Sequence, residues 1–415
     1  MREMKDSGLD WLRDVPVAWR FAALKRLYSQ ISETGCETED LLSVYLHYGV
    51  IRYRDSDGTQ VHKPSKKLDK YQMVTPGNFV LNNQQAWRGS VGVSSYHGIV
   101  SPAYYVLAKI SDCIDDRFAN YLFRGPFRQV FELCSNGIGT IQRNLSLSKL
   151  MAEKVPLPPL DEQRRIADYL DEKCAEIDRA ISAAEQSIEE YKAYKNSVIF
   201  QAVTKGLDER AAMVDSGVEW LGDVPAGWDV VPGKRILRLL QRPVEAGDGV
   251  VTCFRDGEVT LRANRRTEGF TVALKEIGYQ GVEPGDLVVH GMDGFAGSIG
   301  ISDSRGKASP VLNVMDSDQN KRFLMYYMRG LAYRDVYMAL SDGIRVRSCN
   351  LSWKKIGNLP FALPVLDEQR RIADYLDDKC SQIDSAIAAK QAIISDLKAY
   401  KQSLIYEVVT GKREV

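Results

Sequence analysis

The sequence predicts an α+β protein: two mixed α/β domains alternate with two long helices that form an antiparallel coiled coil, in an internal repeat with pseudo-twofold symmetry. Three observations predict it. Residues 161–171, DEQRRIADYLD, recur letter for letter at 367–377, with a shift of 206. Behind each copy, apolar residues alternate spacings of three and four, the signature of a helical seam. Ahead of each copy lie short runs rich in Val, Ile, Tyr and Phe, broken by Gly and Pro, which read as strands.

Taken in order, the chain divides into a first globular domain at 1–159, a helical spacer at 160–210, a second domain at 211–365 and a second spacer at 366–415. The first domain opens with SGLDWLRDVPVAW at 7–19, which matches SGVEWLGDVPAGW at 216–228 with a shift of 209, so the two units differ in length by three residues. Similarity between these anchors is thin but patterned. TPGNFVLNNQQAWRGSVGVS from Thr75 answers EPGDLVVHGMDGFAGSIGIS from Glu283. The fold repeats while the surface differs. Trp11, Trp19, Trp220 and Trp228 are shared and read as packing anchors, and Trp87 with its counterpart Phe295 reads as core. NFVLNNQ, SVGVSSY, YYVLAKI, DLVVHGM and SIGISDS are predicted strands, followed by helical stretches at 117–134 and 320–340.

Each spacer is entered through prolines, VPLPPLDEQ or LPFALPVLDEQ, where an extended segment gives way to a helix. In the first spacer the seam is Leu170, Cys174, Ile177, Ile181, Ala184, Ile188, Tyr191, Lys195 and Val198. The second repeats it as Leu376, Cys380, Ile383, Ile387, Lys390, Ile394, Leu397, Lys401 and Leu404, with lysines as polar breaks. Some 40 residues at 1.5 Å each make a helix of about 60 Å, long enough to want a coiled-coil partner. The other helix is the obvious one; packing of each helix on its own domain alone is the alternative.

Composition and charge exclude several classes. The chain has 415 residues, 44% hydrophobic and 27% charged, without low-complexity tracts, which fits a globular protein and not a disordered or fibrous one. No apolar run approaches a membrane span and the N-terminus lacks an apolar leader, so a cytoplasmic protein with no membrane contact is expected. The seven cysteines form no CxxC pair, which indicates neither disulfides nor a zinc site and leaves buried thiols as the expectation. Formal net charge is zero, but its distribution is uneven: residues 20–154 carry +5 and 229–355 carry +4, against −5 at 160–209 and −1 at 366–415. The globular halves are the basic parts, compatible with phosphate contacts.

No catalytic residues and no metal ligands are predicted. The chain lacks a phosphate-binding GxxxxGK[ST] loop, a GxGxxG helix opening and the Asn/Asp-Pro-Pro-aromatic motif by which amino-methyltransferases hold a flipped base. His47, His62, His97 and His290 fall in no metal-ligand pattern. GSVG and GSIG read as structural turns, and the acidic pairs Asp161/Glu162 and Asp367/Glu368 as charges favoured at a helix start.

Two divergent halves alternating with two near-identical helices, each introduced by prolines and LDEQRRIADYLD, resemble the specificity subunit of type I restriction-modification enzymes. The resemblance covers essentially the whole chain, and the WLRDVPVAW and WLGDVPAGW segments look like the start of that family's target recognition domains. It implies that each half reads one part of a split, asymmetric site in double-stranded DNA. It further implies that the helices hold the halves apart and dock two modification subunits, which bind S-adenosylmethionine and methylate adenine. Restriction subunits using ATP and Mg join the same scaffold, and no cofactor is expected on this chain. A coiled-coil interaction scaffold without DNA readout is the alternative.

Base edges are read by Arg, Lys, Asn and Gln on rigid loops, with Lys and Arg on phosphates. The candidates in the first half are Arg52, Arg54, Lys63, Lys66, Lys67, Gln84, Gln85 and Arg88. In the second they are Arg262, Arg265, Arg266, His290, Met292, Arg345 and Arg347. Their difference predicts a non-palindromic target.

Overall fold

The chain divides into two compact units, residues 1–184 with 392–415 and residues 185–391. Each holds one globular half, the start of the helix that follows it and the end of the other helix. The computed structural model describes residues 2–46, 48–56, 64, 65, 67–137, 143–265, 268, 276–339 and 351–415.

In the first unit a four-stranded antiparallel sheet runs in the order Tyr28–Ile31, Tyr104–Lys109, Phe79–Asn82, Val91–Val93. A hairpin, Leu42–Tyr45 with Gly49–Arg52, lies beside it. Leu42, Val44 and Val50 of the hairpin bury one face with Val80 and Val106 of the sheet, the alternation expected of half-buried strands. On the sheet's other side Phe79 stacks on Phe123 of the helix Asp116–Arg124, ring centroids 4.3 Å apart, and Tyr28, Phe127 and Phe131 complete an aromatic core. That helix starts where the Asp115 carboxylate accepts from the Arg117 and Phe118 amides.

The second unit is built the same way. Its sheet runs Arg238–Leu239, Leu312–Asp316, Leu287–His290, Ile299–Ile301, and its hairpin is Val251–Cys253 with Val259–Leu261. Asn320 caps the helix Lys321–Tyr333, whose Phe323 and Tyr327 pack with Phe361. The internal repeat of the sequence is therefore a repeat of fold, the four-stranded sheet and the hairpin recurring in the same order.

The long helices are Leu160–Lys205 and Leu366–Val409. In the first unit Leu170, Cys174, Ile177 and Ile181 are buried, as are Ile394 and Leu404 of the second helix, while Leu397 is half-buried. In the second unit Ile188, Leu376, Cys380 and Ile383 are buried, and Tyr191, Val198 and Ile387 are half-buried. The helices run antiparallel: Lys401 reaches Asp178 at 2.6 Å in the first unit, and Lys195 reaches Asp384 at 2.6 Å in the second. These two ion pairs are one pair under the repeat, and they show what the breaks at Lys195 and Lys401 are for. Each satisfies a half-buried ammonium across the interface and so favours one register over its neighbours.

The repeated residues dock each helix onto the globular half before it. Gln163 is fully buried, its amide donating to the Cys113 and Pro158 carbonyls at 2.9 Å and accepting from the Asp115 amide at 2.8 Å. Gln369 does the same with Pro364, Gln319 and Asn320. Asp171 accepts from Tyr121 and Arg117, as Asp377 does from Tyr326 and Arg322. The helix ends seat on the other shared segment. Gly206, with φ +75°, lies against Trp228 and Pro225, and Gly411, with φ +73°, against Trp19 and Pro16. A side chain at either glycine would be strained, and at Gly411 it would also collide with Pro16.

Two expectations need correction. Glu162 is more than a helix-start charge: it is buried, accepts from Trp19 Nε1 at 3.1 Å and pairs with Arg2 at 2.6 Å. Of the cysteines, 134, 174, 253 and 380 are buried, but Cys36 is half-buried and Cys113 exposed, and Cys349 lies outside the described residues. Burial pushes the Cys134 thiol up to about 11 and that of Cys253 to about 12, so both stay protonated at neutral pH. No helix among the described residues is long and apolar enough to cross a membrane.

Candidate nucleic-acid interface

The candidate residues gather at two places in each unit. The first is the loop between the third and fourth strands of the sheet. In the first unit the Asn82 side chain accepts from the Gln84 amide at 3.0 Å, Trp87 Nε1 donates to the Gln84 carbonyl at 3.1 Å, and Gly89, at φ +106°, reverses the chain into Val91–Val93. This leaves Gln84 and Arg88 exposed and Gln85 half-buried. Trp87 is half-buried as well, its ring 4.6 Å from the Arg143 guanidinium and 5.7 Å from that of Arg88. The core role expected for it is thus replaced by cation–π contacts at the surface. Arg143 arrives here because the Leu145 amide donates to both oxygens of Asn83 at 3.1 Å, and it is anchored by Glu132 at 3.2 Å. Arg143 is not among the sequence candidates; the signal for it is its place just before NLS at 144–146, a triplet that recurs at 350–352.

The second unit makes the same turn with different atoms. His290 Nδ1 accepts from the Met292 and Asp293 amides at 3.2 and 3.0 Å, and Gly297, at φ +92°, reverses the chain. Burial lowers the His290 pKa, Arg255 adding to the shift and Asp293 opposing it. A neutral ring is what the turn needs, since Nδ1 must accept. Met292 is exposed, while Phe295 packs partly buried against the core.

The hairpin is the second place. Arg52 and Arg54 both approach Asp40, at 3.5 and 3.3 Å, and the Arg52 guanidinium lies 5.2 Å from the Tyr96 ring. Arg262 Nε donates to Thr252 at 3.3 Å. Arg265 is held by Asp256 at 2.7 Å and Glu258 at 3.0 Å, over the Phe254 ring at 4.2 Å. Loop and hairpin adjoin in both units: Ser90 donates to the Val44 carbonyl at 2.7 Å, and Arg255 pairs with Asp293 at 2.9 Å. Gly300 is needed there because a Cβ would collide with the Gly257 carbonyl, which bears out the structural reading of GSIG. Lys67 is exposed apart from these groups. Lys63, Lys66, Arg266, Arg345 and Arg347 lie outside the described residues.

Among the described residues no group of three His, Cys, Asp or Glu is placed to hold a metal ion. What the two places offer is amide, guanidinium and carboxylate groups on short, hydrogen-bonded turns, the set that reads base edges.

A family model described as the type I restriction modification DNA specificity domain matches residues 30–190. The specificity subunit of type I restriction enzyme MjaVIII from Methanocaldococcus jannaschii is 23% identical over 371 residues, 83% of this chain and 83% of that protein. The EcoBI specificity subunit from Escherichia coli is 33% identical over 134 residues, 32% of this chain and 27% of that protein. A chain from a structure of type I R-M complex assembly superposes with a TM-score of 0.70 at 17% identity, covering 96% of this chain and 99% of its own. The HsdS subunit from Thermoanaerobacter tengcongensis gives 0.51 at 17% identity, covering 96% and 98%. These likenesses show the fold, and the family model over residues 30–190 and the sequence relatives make this chain similar to type I restriction-modification specificity subunits.

Proposed function

We propose that this chain is the sequence-reading, non-catalytic subunit of a type I restriction-modification complex, with each unit contacting one half of a split, asymmetric DNA target. The observation that carries this reading is the pairing of sameness and difference. Two units of one fold present different side chains at the same loop and the same hairpin: Gln84, Gln85 and Arg88 against Met292, Tyr45 and Arg54 against Phe254 and Arg265. Identical readers would select a palindrome; different ones select two unlike half-sites. Of the candidates, Arg54, Lys67 and Arg88 are exposed cations suited to phosphates, and Gln84 and Gln85 are suited to adenine edges.

The two near-identical helices suit two copies of one partner, the modification subunit. That partner supplies S-adenosylmethionine chemistry, and a restriction subunit supplies ATP- and Mg-dependent cleavage. Methylation mapping of cells carrying the full system tests the reading. The expected motif has two dissimilar specific parts around unspecified bases, and exchanging residues 211–365 for those of a relative changes one part only. A palindromic or undivided motif would overturn it.

A further inference from the structure

A pocket of about 240 Å³ opens on the outer face of the first unit's hairpin, lined by Tyr45, Tyr48, Ile51, Asp55, Ser56 and Tyr96. A 150 Å³ apolar cavity already holds a benzene ring, so this one has room for a larger planar group. Its walls are three tyrosines, and Asp55 supplies a carboxylate. The Tyr45 hydroxyl itself is buried, without a hydrogen-bond partner among the described residues, so Tyr45 offers the pocket its ring. The second unit shows how the same place can be filled. Phe254 stands where Tyr45 does, since Tyr45 pairs with Gly49 across the hairpin and the Phe254 amide donates to the Glu258 carbonyl. There the planar guanidinium of Arg265 covers the ring, held by two carboxylates. The second unit's ring is covered by its own arginine; among the described residues of the first unit no side chain lies over Tyr45 in that way.

A planar group that stacks on tyrosine and donates to a carboxylate could be an arginine of a protein or an amino-bearing base. Arg52 lies over the lining residue Tyr96, and the exposed Arg54 precedes Asp55 in the chain; this positive charge opposes an incoming cation and favours a group carried on a phosphate backbone. Resting on the DNA-reading role above, we propose that the Tyr45–Tyr48–Tyr96 pocket takes one unstacked nucleobase of the target, adenine or cytosine, whose exocyclic amino group donates to Asp55. Base–aromatic stacking supplies the affinity and the carboxylate the selectivity.

The test uses the full chain assembled with its partner subunits, on the duplex target defined by methylation mapping. Tyr48 is 63% exposed, so Tyr48→Ala leaves the fold intact. It should weaken binding about tenfold at every salt concentration without changing the salt slope, because no phosphate contact is lost. Asp55→Asn should alter base preference at one position of one half-site. A mismatch that unpairs that base should tighten binding to the wild-type complex and not to Tyr48→Ala, since the cost of unstacking falls. Binding within twofold of wild type and unchanged preferences for both variants would overturn the pocket. If Arg54→Ala then still lowers the salt slope by about one, DNA reading stands without it; if salt and every variant leave DNA binding untouched, both readings fall. Loss of subunit assembly by Tyr48→Ala, with DNA contacts intact, would assign the pocket to a protein arginine and overturn the proposal as well.

Discussion

The two units agree where their helices dock and differ where their turns face outward, and the contrast separates what the fold requires from what recognition requires. Gln163 and Gln369, Asp171 and Asp377, Trp19 and Trp228 make matching contacts in each unit. The eleven-residue identity is therefore explained in large part by each unit's own packing: Glu162, Gln163, Ile166, Ala167 and Leu170 are buried, and Asp168 and Asp171 pair with Arg117. Asp161, Arg164 and Arg165 are exposed, and their repetition is not explained in this way. The outward turns follow the opposite rule. Asn82 and His290 build one turn with different chemistry, and Trp87 and Phe295 occupy one position, the former under two arginines and the latter against the core.

If docking is what the identity preserves, breaking it should cost both units alike. Gln163→Leu strands the Cys113 and Pro158 carbonyls and the Asp115 amide, and the same change at Gln369 strands the Pro364 carbonyl and the Asn320 amide and releases the Gln319 side chain. Each should lose about 3 kcal/mol, at ~1–3 kcal/mol per unsatisfied group after relaxation. Denaturant unfolding of the whole chain and hydrogen exchange in the adjoining helix, Asp116–Arg124 or Lys321–Tyr333, measure it. A loss in one unit alone would break the equivalence. Removal of the tyrosine hydroxyls is milder: Tyr121→Phe and Tyr326→Phe each delete a bond to a carboxylate, 2.7 and 2.8 Å long, and should cost about 1 kcal/mol.

Smaller again are the seam ion pairs, because Asp178 and Asp384 are more than half exposed while their lysines are largely covered. Asp178→Ala should cost about 0.5–1 kcal/mol. Exchanging the partners, Asp178→Lys with Lys401→Asp, should restore most of it in a double-mutant cycle. An additive cycle would show that the pair sets no register.

Much of this was legible in the sequence because it rests on short-range regularities. The heptad, the proline entries and the letter-for-letter repeat each report a local period, and strand-rich runs such as NFVLNNQ and DLVVHGM hold the central strands Phe79–Asn82 and Leu287–His290. What escaped depends on groups that meet from distant points. Trp87 lies at a repeated position and so looked like core; only Arg143, brought back by Asn83, makes it a surface stack. Glu162 looked like a dipole charge until Trp19 and Arg2 arrived across the fold. Among the site residues, residue type identified cations but not their partners, so Arg265 was indistinguishable in sequence from the freer Arg54, although two carboxylates and a ring hold it.

The smallest effect bears most directly on the two turns. Asn82 holds the first with an amide that does not titrate; His290 holds the second with a nitrogen that must stay unprotonated. Because burial lowers the His290 pKa, the folded turn binds fewer protons than the unfolded chain near and below the ordinary value of 6.5. The stability this residue contributes is therefore complete above that value and is lost as pH falls through the lowered one. Acidification should speed hydrogen exchange at the Met292 and Asp293 amides after correction for intrinsic rates, by a few-fold, while the Gln84 amide of the first turn stays level. His290→Asn should abolish the pH dependence and leave the turn formed, since an amide oxygen can accept as Asn82 does. If the second turn still loosens in the Asn variant, the titration lies elsewhere, and the two turns differ in something other than the group that closes them.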